Sequence, residues 1–376
     1  MLHRRQLIAS LTAWGLSPWA LAQTDKTIVL GQSAPFSGPA ELLGNQYHQG
    51  ARLYFDALNA KGGVHGRSIE LKRLDDGMDP ERCAANTRRF IGDGVFALFG
   101  YVGTATSLAA LPLATEAQVP FFAPYSGAQA LREPYNRYAI HLRASYFDET
   151  AAIVKQTHSV GITRIAVFHQ NDAYGKSGLE DVVRAMAPLN LKPVASASVQ
   201  GNNAADMAPA LKQILAASPE AIIQIGAYKA CATFVRLARR SGYGGNFYNL
   251  SFVDTQALSD ELGAVARGVI VSQVMPFPYS SVTPIATEFL GALQASGLVA
   301  TSPSYSGMEG YVAAKVFTEA VRRAGKNLTR EGFLGAIHGM QNYHLGGITM
   351  DFGPQKNTGS RFVEMTMLTD DGKVRR

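Results

Sequence analysis

The segment Gly100-Tyr101-Val102-Gly103-Thr104-Ala105-Thr106 sets two glycines and two threonine hydroxyls where an apolar strand gives way to a helix. The first amides of a helix have no acceptor within it, and the helix dipole adds partial positive charge there. Such a junction favours an anion, a carboxylate above all. Glycine lets a ligand approach the main chain, and Thr104 and Thr106 add hydroxyl donors. The pair Asp75-Asp76 has the residue types of a metal or acid–base site, but it sits between a strand end and the helix start at Asp79-Pro80, so a turn is its expected role. A phosphate loop fails at Gly175-Lys176-Ser177, because the glycine needed five residues earlier is Gln170. No G-x-S-x-G, H-E-x-x-H or C-x-x-C run occurs, and His48, His65, His141 and His169 lack ligand spacing. No catalytic residue, metal or cofactor is therefore expected.

The elements that would position the glycine–threonine junction alternate regularly. Strands are expected over 27–32, 68–74, 95–99 and 119–123, with helices over 45–59, from Asp79-Pro80 and from about Ser107. On the first helix Tyr47, Ala51, Tyr54, Phe55 and Leu58 share one face. The pattern restarts with strands at 162–169, 192–199, 221–225, 247–251 and 268–273 and helices at 178–187, 206–217 and 230–241. Pro276-Phe277-Pro278 is a stiff break, followed by helices at 284–296, 308–324 and 330–340 and a polar, glycine-rich tail. This succession predicts an α/β protein of two doubly wound parallel-sheet units. Ligands of such sheets lie beyond the carboxyl ends of the strands.

With 376 residues the chain exceeds one ordinary core and suits two lobes. Its first residues read as an export signal: Arg4 and Arg5, an apolar stretch from Leu7 to Ala20, and a small-x-small site at Ala20-Leu21-Ala22, with cleavage after Ala22. The arginine pair leaves the general and the twin-arginine routes both open. The remaining chain has 33 basic against 29 acidic side chains, a net of +4, with no basic run interleaved with aromatics. No nucleic-acid partner is expected. Gln23, not a cysteine, stands directly after the cleavage site and no later run reaches membrane-spanning length, so a free protein of the periplasm is expected. Cys83 and Cys231 fall in different lobes and are expected as buried free thiols.

Four ordered segments carry a family likeness: Gly31-Gln32-Ser33-Ala34-Pro35-Phe36-Ser37-Gly38-Pro39, Leu58-Asn59-Ala60-Lys61-Gly62-Gly63-Val64-His65-Gly66-Arg67, Asp75-Asp76-Gly77-Met78-Asp79-Pro80, and Tyr174-Gly175 after a strand. Together they resemble the type I periplasmic solute-binding proteins of ABC transporters, in the leucine/isoleucine/valine-binding branch. The resemblance implies two lobes joined by three crossovers: 24–143 plus 276–346, and 144–275 plus 347–376.

It also implies the site. The loop of Tyr101, Val102, Gly103 and Thr104 and a second loop with Tyr125, Ser126 and Gly127 would hold a ligand carboxylate. Where the family often has a threonine this second loop has Tyr125 and Gly127, leaving hydrogen bonding to Ser126 and main chain. Tyr174 and Tyr228 would cover the ligand from lobe two, and Leu43 stands where the leucine-type binder has a tryptophan. Asp254, or Glu309 with Tyr305, would take a ligand ammonium. The expected protein is a monomeric clamp, not an enzyme, that carries a branched-chain or similar apolar amino acid to an ABC permease in the inner membrane. The alternatives are an aromatic or other organic carboxylate as ligand, and a sensor that does not transport.

Overall fold

The computed structural model describes residues 26–200, 204–297 and 302–376. The expected export signal, 1–22, lies outside them.

The first lobe is built on five parallel strands: β1 (Thr27–Ala34), β2 (Ser68–Asp75), β3 (Ala97–Phe99), β4 (Phe121–Phe122) and β5 (Ala139–Ile140), in the order β2-β1-β3-β4-β5. Its helices are α1 (Glu41–Ala60), α2 (Pro80–Gly92) and α3 (Thr104–Glu116). Asp79 caps α2 by accepting from the Arg82 amide, with Pro80 in the first turn. Gly31 is dictated by packing: a Cβ there would lie 2.5 Å from the Phe90 ring of α2. The Asp75-Asp76 pair is the turn device expected of it. Asp75 accepts from the amides of Phe36, Ser37 and Gly77 and from Arg82, while Asp76 accepts from Ser33 and the Met78 amide.

The chain then crosses to α4 (Tyr146–Ser159) and the second lobe. Here β6 (Ile165–Gln170), α5 (Ala173–Met186), β7 (Ala195–Val199), α6 (Ala204–Ala216), β8 (Ala221–Ile225), α7 (Tyr228–Arg240), β9 (Asn246–Asn249), α8 (Thr255–Leu262) and β10 (Val269–Gln273) form the second doubly wound unit. It returns through α9 (Pro284–Ala295) and α10 (Tyr305–Ala324), and α10 packs along α1 of the first lobe. After α11 (Arg330–His338) and the small antiparallel pair β11 (Tyr343–His344) and β12 (Thr349–Met350), the chain crosses a third time. It then adds β13 (Glu364–Leu368) and β14 (Val374–Arg375) to the second sheet, whose order is β14-β13-β10-β9-β8-β6-β7.

Three differences from the sequence reading matter. The second sheet is mixed, because β13 runs antiparallel to β10, so the tail is structured. The helices α4 and α8 were not foreseen. In α4 the buried polar Glu149, Thr150 and Thr157 interrupt the apolar stripe, although Ser145 and Asp148 form a capping box that marks its start. Finally, α3 begins at Thr104, three residues before the expected Ser107, which brings its free amides directly to the glycine–threonine loop. Cys83 and Cys231 are buried and free.

The first and third crossovers run side by side. His141 donates its amide to Asn357 O and accepts from Gly359 N, at 2.8 and 2.7 Å. This pairing fixes where the two lobes meet.

Candidate functional site

The strand order in each lobe reverses beside its first strand, and the loops at those reversals face the seam between lobes. On the first lobe, Gly100 turns with φ +62°, and a Cβ there would lie 2.3 Å from the Tyr47 ring, so only glycine fits. The following residues are zipped to the second loop. Tyr125 N donates to Tyr101 O at 2.7 Å, and Gly103 N donates to Tyr125 O at 3.3 Å. This aligns Thr104, the first residue of α3, with Ser126: their hydroxyls are 2.9 Å apart. The amides of Thr104, Ala105 and Thr106 have no acceptor within α3. The buried Arg132 holds the second loop by donating to the carbonyls of Ser126, Ala128 and Arg143.

Several expected roles change. The Tyr101 side chain turns into the lobe-one interior, where its hydroxyl accepts from Thr87 and its ring meets Phe121 edge-on at 5.0 Å. Only its main chain serves the loop. Thr106 is not a free donor, since its hydroxyl bonds the Val102 and Gly103 carbonyls at 2.6 and 3.1 Å. Val102 is buried and bridges to Tyr125, and Leu43 is buried in the first turn of α1. Gly127 has a reason of its own: a Cβ there would stand 2.4 Å from Cδ1 of Tyr146.

From the second lobe, Tyr174 is buried after β6 and packs on Tyr146 and Phe252, with ring centroids 5.2 and 4.7 Å apart. Its hydroxyl has no hydrogen-bond partner. Phe252 reaches across to Tyr125 at 5.6 Å, so an aromatic layer closes the seam in this structure. Tyr228 is half-buried at the start of α7 and takes no part in this layer.

The two expected acids separate cleanly. Glu309, on α10, is buried 3.6 Å from Nε of Arg143, whose guanidinium also stacks on Tyr125 and donates to Ser251. Glu149 completes this group by accepting from the Ser251 amide and hydroxyl and from the Ser272 hydroxyl. Glu309 is thus occupied by an ion pair; burial, opposed by Arg143, pushes its carboxyl up to about 7. Tyr305 lies apart at a crossover, edge-on to Phe277 and Tyr279. Asp254 is different. It caps α8 through one carboxylate oxygen, while the other, Oδ2, is buried without a partner. Its backbone holds φ +62°, a sparsely populated region for an aspartate. Burial raises its carboxyl to about 6.

Sequence reading missed Tyr146, Arg143 and Phe252. The capping box at Ser145 was a usable signal for the helix that carries Tyr146. Nothing local marks Arg143 or Phe252. Among the described residues no three His, Cys, Asp or Glu side chains gather as metal ligands, and no helix is long and apolar enough to cross a membrane.

The family model described as "Periplasmic binding protein" matches residues 27–373. The chain is similar to Leu/Ile/Val-binding protein homolog 7 of Brucella suis biovar 1, with 27% identity over 391 residues, covering 98% of this chain and 95% of the relative. It is 24% identical over 272 residues to the Leu/Ile/Val-binding protein of Escherichia coli K12, covering 72% of each. Among solved structures, a substrate-binding periplasmic protein from Ralstonia solanacearum superposes with a TM-score of 0.85 at 35% identity, covering 93% of this chain and 99% of the other.

Proposed function

Because the chain belongs to the periplasmic binding protein family, and is thus a solute-binding protein and not an enzyme, we propose that it captures a small carboxylate-bearing solute for an ABC importer. The solute proposed is an amino acid with a branched-chain or similar apolar side chain, the class named for the Brucella and Escherichia relatives. The observation that carries this reading is the pairing of opposite needs across one seam. The free amides of α3 with Thr104 and Ser126 suit a carboxylate, and the unpartnered Asp254 Oδ2 suits an ammonium.

The lobes proposed to move are 24–143 plus 276–346 and 144–275 plus 347–376. Tyr125 and Phe252 must part to admit a ligand, and Tyr174 then covers it. Ligand binding shifts the open–closed balance only by its preference for the closed form. Export by the residues 1–22, action as a monomer in the periplasm, and docking of the closed form on an inner-membrane permease belong to the same proposal.

The aromatic layer of Tyr125, Tyr146, Tyr174 and Phe252 favours a second ligand reading, an aromatic carboxylate stacked among the rings. Calorimetric titration of the purified protein with L-leucine, L-valine, L-phenylalanine and benzoate separates the two. Heat from the aliphatic amino acids supports the first, heat from benzoate alone supports the second, and silence from all four removes both.

A further inference from the structure

Tyr146 opens α4 immediately after the first crossover, and its main chain is tied to the second loop: its amide donates to Gly127 O at 2.8 Å. Its ring lies against Cα of Gly127, in space that any side chain at 127 would fill. The residue is wholly buried, yet its hydroxyl has no hydrogen-bond partner. That hydroxyl faces those of Thr104 and Ser126, at the free amides of α3.

Three hydroxyls thus converge on one helix start. Thr104 and Ser126 are hydrogen-bonded to each other and Ser126 also accepts from the Ala128 amide, which leaves the Tyr146 hydroxyl as the donor of this group with no partner. A buried donor left unmade is unfavourable. An anion supplies acceptors to all three together with the amides of α3, whereas a neutral amide cannot accept at both of its heavy atoms.

We infer that Tyr146 is a ligand-binding residue that donates its phenolic proton to the ligand's carboxylate, and that Gly127 is the residue that admits it to the site. This rests on the reading of the site as a carboxylate binder and adds to it a donor from the crossover itself. A donor placed there couples ligand capture directly to the position of α4, the first element of the second lobe.

The test uses calorimetry on the full mature protein with three carboxylates and their primary amides: L-leucine and L-leucinamide, L-phenylalanine and L-phenylalaninamide, benzoate and benzamide. For whichever carboxylate binds, Tyr146→Phe is expected to weaken it about tenfold or more, the worth of a charge-assisted hydrogen bond. The affinity of the matching amide should change by less than about threefold, because only the charged acceptor profits. Gly127→Ala, which forces the Tyr146 ring away, should weaken the same carboxylate and is the second arm should Tyr146→Phe not fold. Undiminished carboxylate binding in either folded variant overturns the role of Tyr146 while leaving the carboxylate reading intact. Failure of all three carboxylates to bind the wild type overturns both.

Discussion

Arg143 Nε stands 3.6 Å from Glu309 Oε1, with both side chains sealed from solvent. The two residues belong to different passes of the chain. Arg143 lies in the first crossover, Glu309 on α10, and the guanidinium also reaches Ser251 beside Glu149. One arginine therefore serves two buried carboxylates on the two sides of the hinge. Removing it leaves both without a counter-charge. Arg143→Met is expected to lower unfolding free energy by about 3–5 kcal/mol, measured by urea titration. A loss below about 1 kcal/mol would show that the carboxylates are buried neutral.

The Glu309 carboxyl is raised by burial to about 7, against 4.5 for the unperturbed group. Between those values the folded protein holds a proton that the unfolded chain has released. Its contribution to stability is therefore present below about pH 4.5 and is lost as pH rises through about 7. Wild type should gain stability relative to Glu309→Gln as the pH is lowered from 8 to 5. Melting temperatures of both proteins at each pH check this; a constant difference would show that Glu309 does not titrate in this range.

Asp254 is raised to about 6, so its charge fades as pH falls through that value. The affinity for L-leucine should therefore decline from pH 8 to pH 5. Asp254→Asn should weaken L-leucine at pH 8 about tenfold or more and flatten the pH profile. Binding of 4-methylpentanoate, which lacks the ammonium, should be little changed by the substitution. Equal losses for the two ligands would place Asp254 in the fold of α8 and not at the ligand.

Tyr174→Phe deletes a buried hydroxyl that has no partner and leaves the ring contacts to Tyr146 and Phe252 in place. Thermal stability should be kept or slightly raised, with ligand affinity reduced severalfold. Tyr174→Ala is a poorer probe, because the residue is buried and its truncation opens a cavity worth about 3–5 kcal/mol. Affinity unchanged in the phenylalanine variant would confine Tyr174 to packing.

Gly100→Ala combines a positive φ with a Cβ placed 2.3 Å from Tyr47. Destabilisation of about 2–4 kcal/mol is expected, read by denaturant titration. A near-neutral effect would mean that the loop and Tyr47 yield easily.

Local patterning was enough to read the alternation of strands and helices, the two doubly wound units, and the junction at Gly100–Thr106. Each is a local property: apolar period, glycine placement and helix start signals lie within a few neighbouring residues. The tertiary structure alone decided which groups remain available. Tyr101 and Thr106 carry hydroxyls at the expected place, but Thr87 and two main-chain carbonyls take them up. Glu309 and Asp254 are equivalent as letters; one is paired by Arg143, 166 positions away in the chain, and the other keeps an unpartnered oxygen. Tyr146 enters the site only because Gly127, on another loop, leaves room for its ring. Such pairings depend on how the crossovers bring distant segments together, and no periodicity within either segment encodes that geometry.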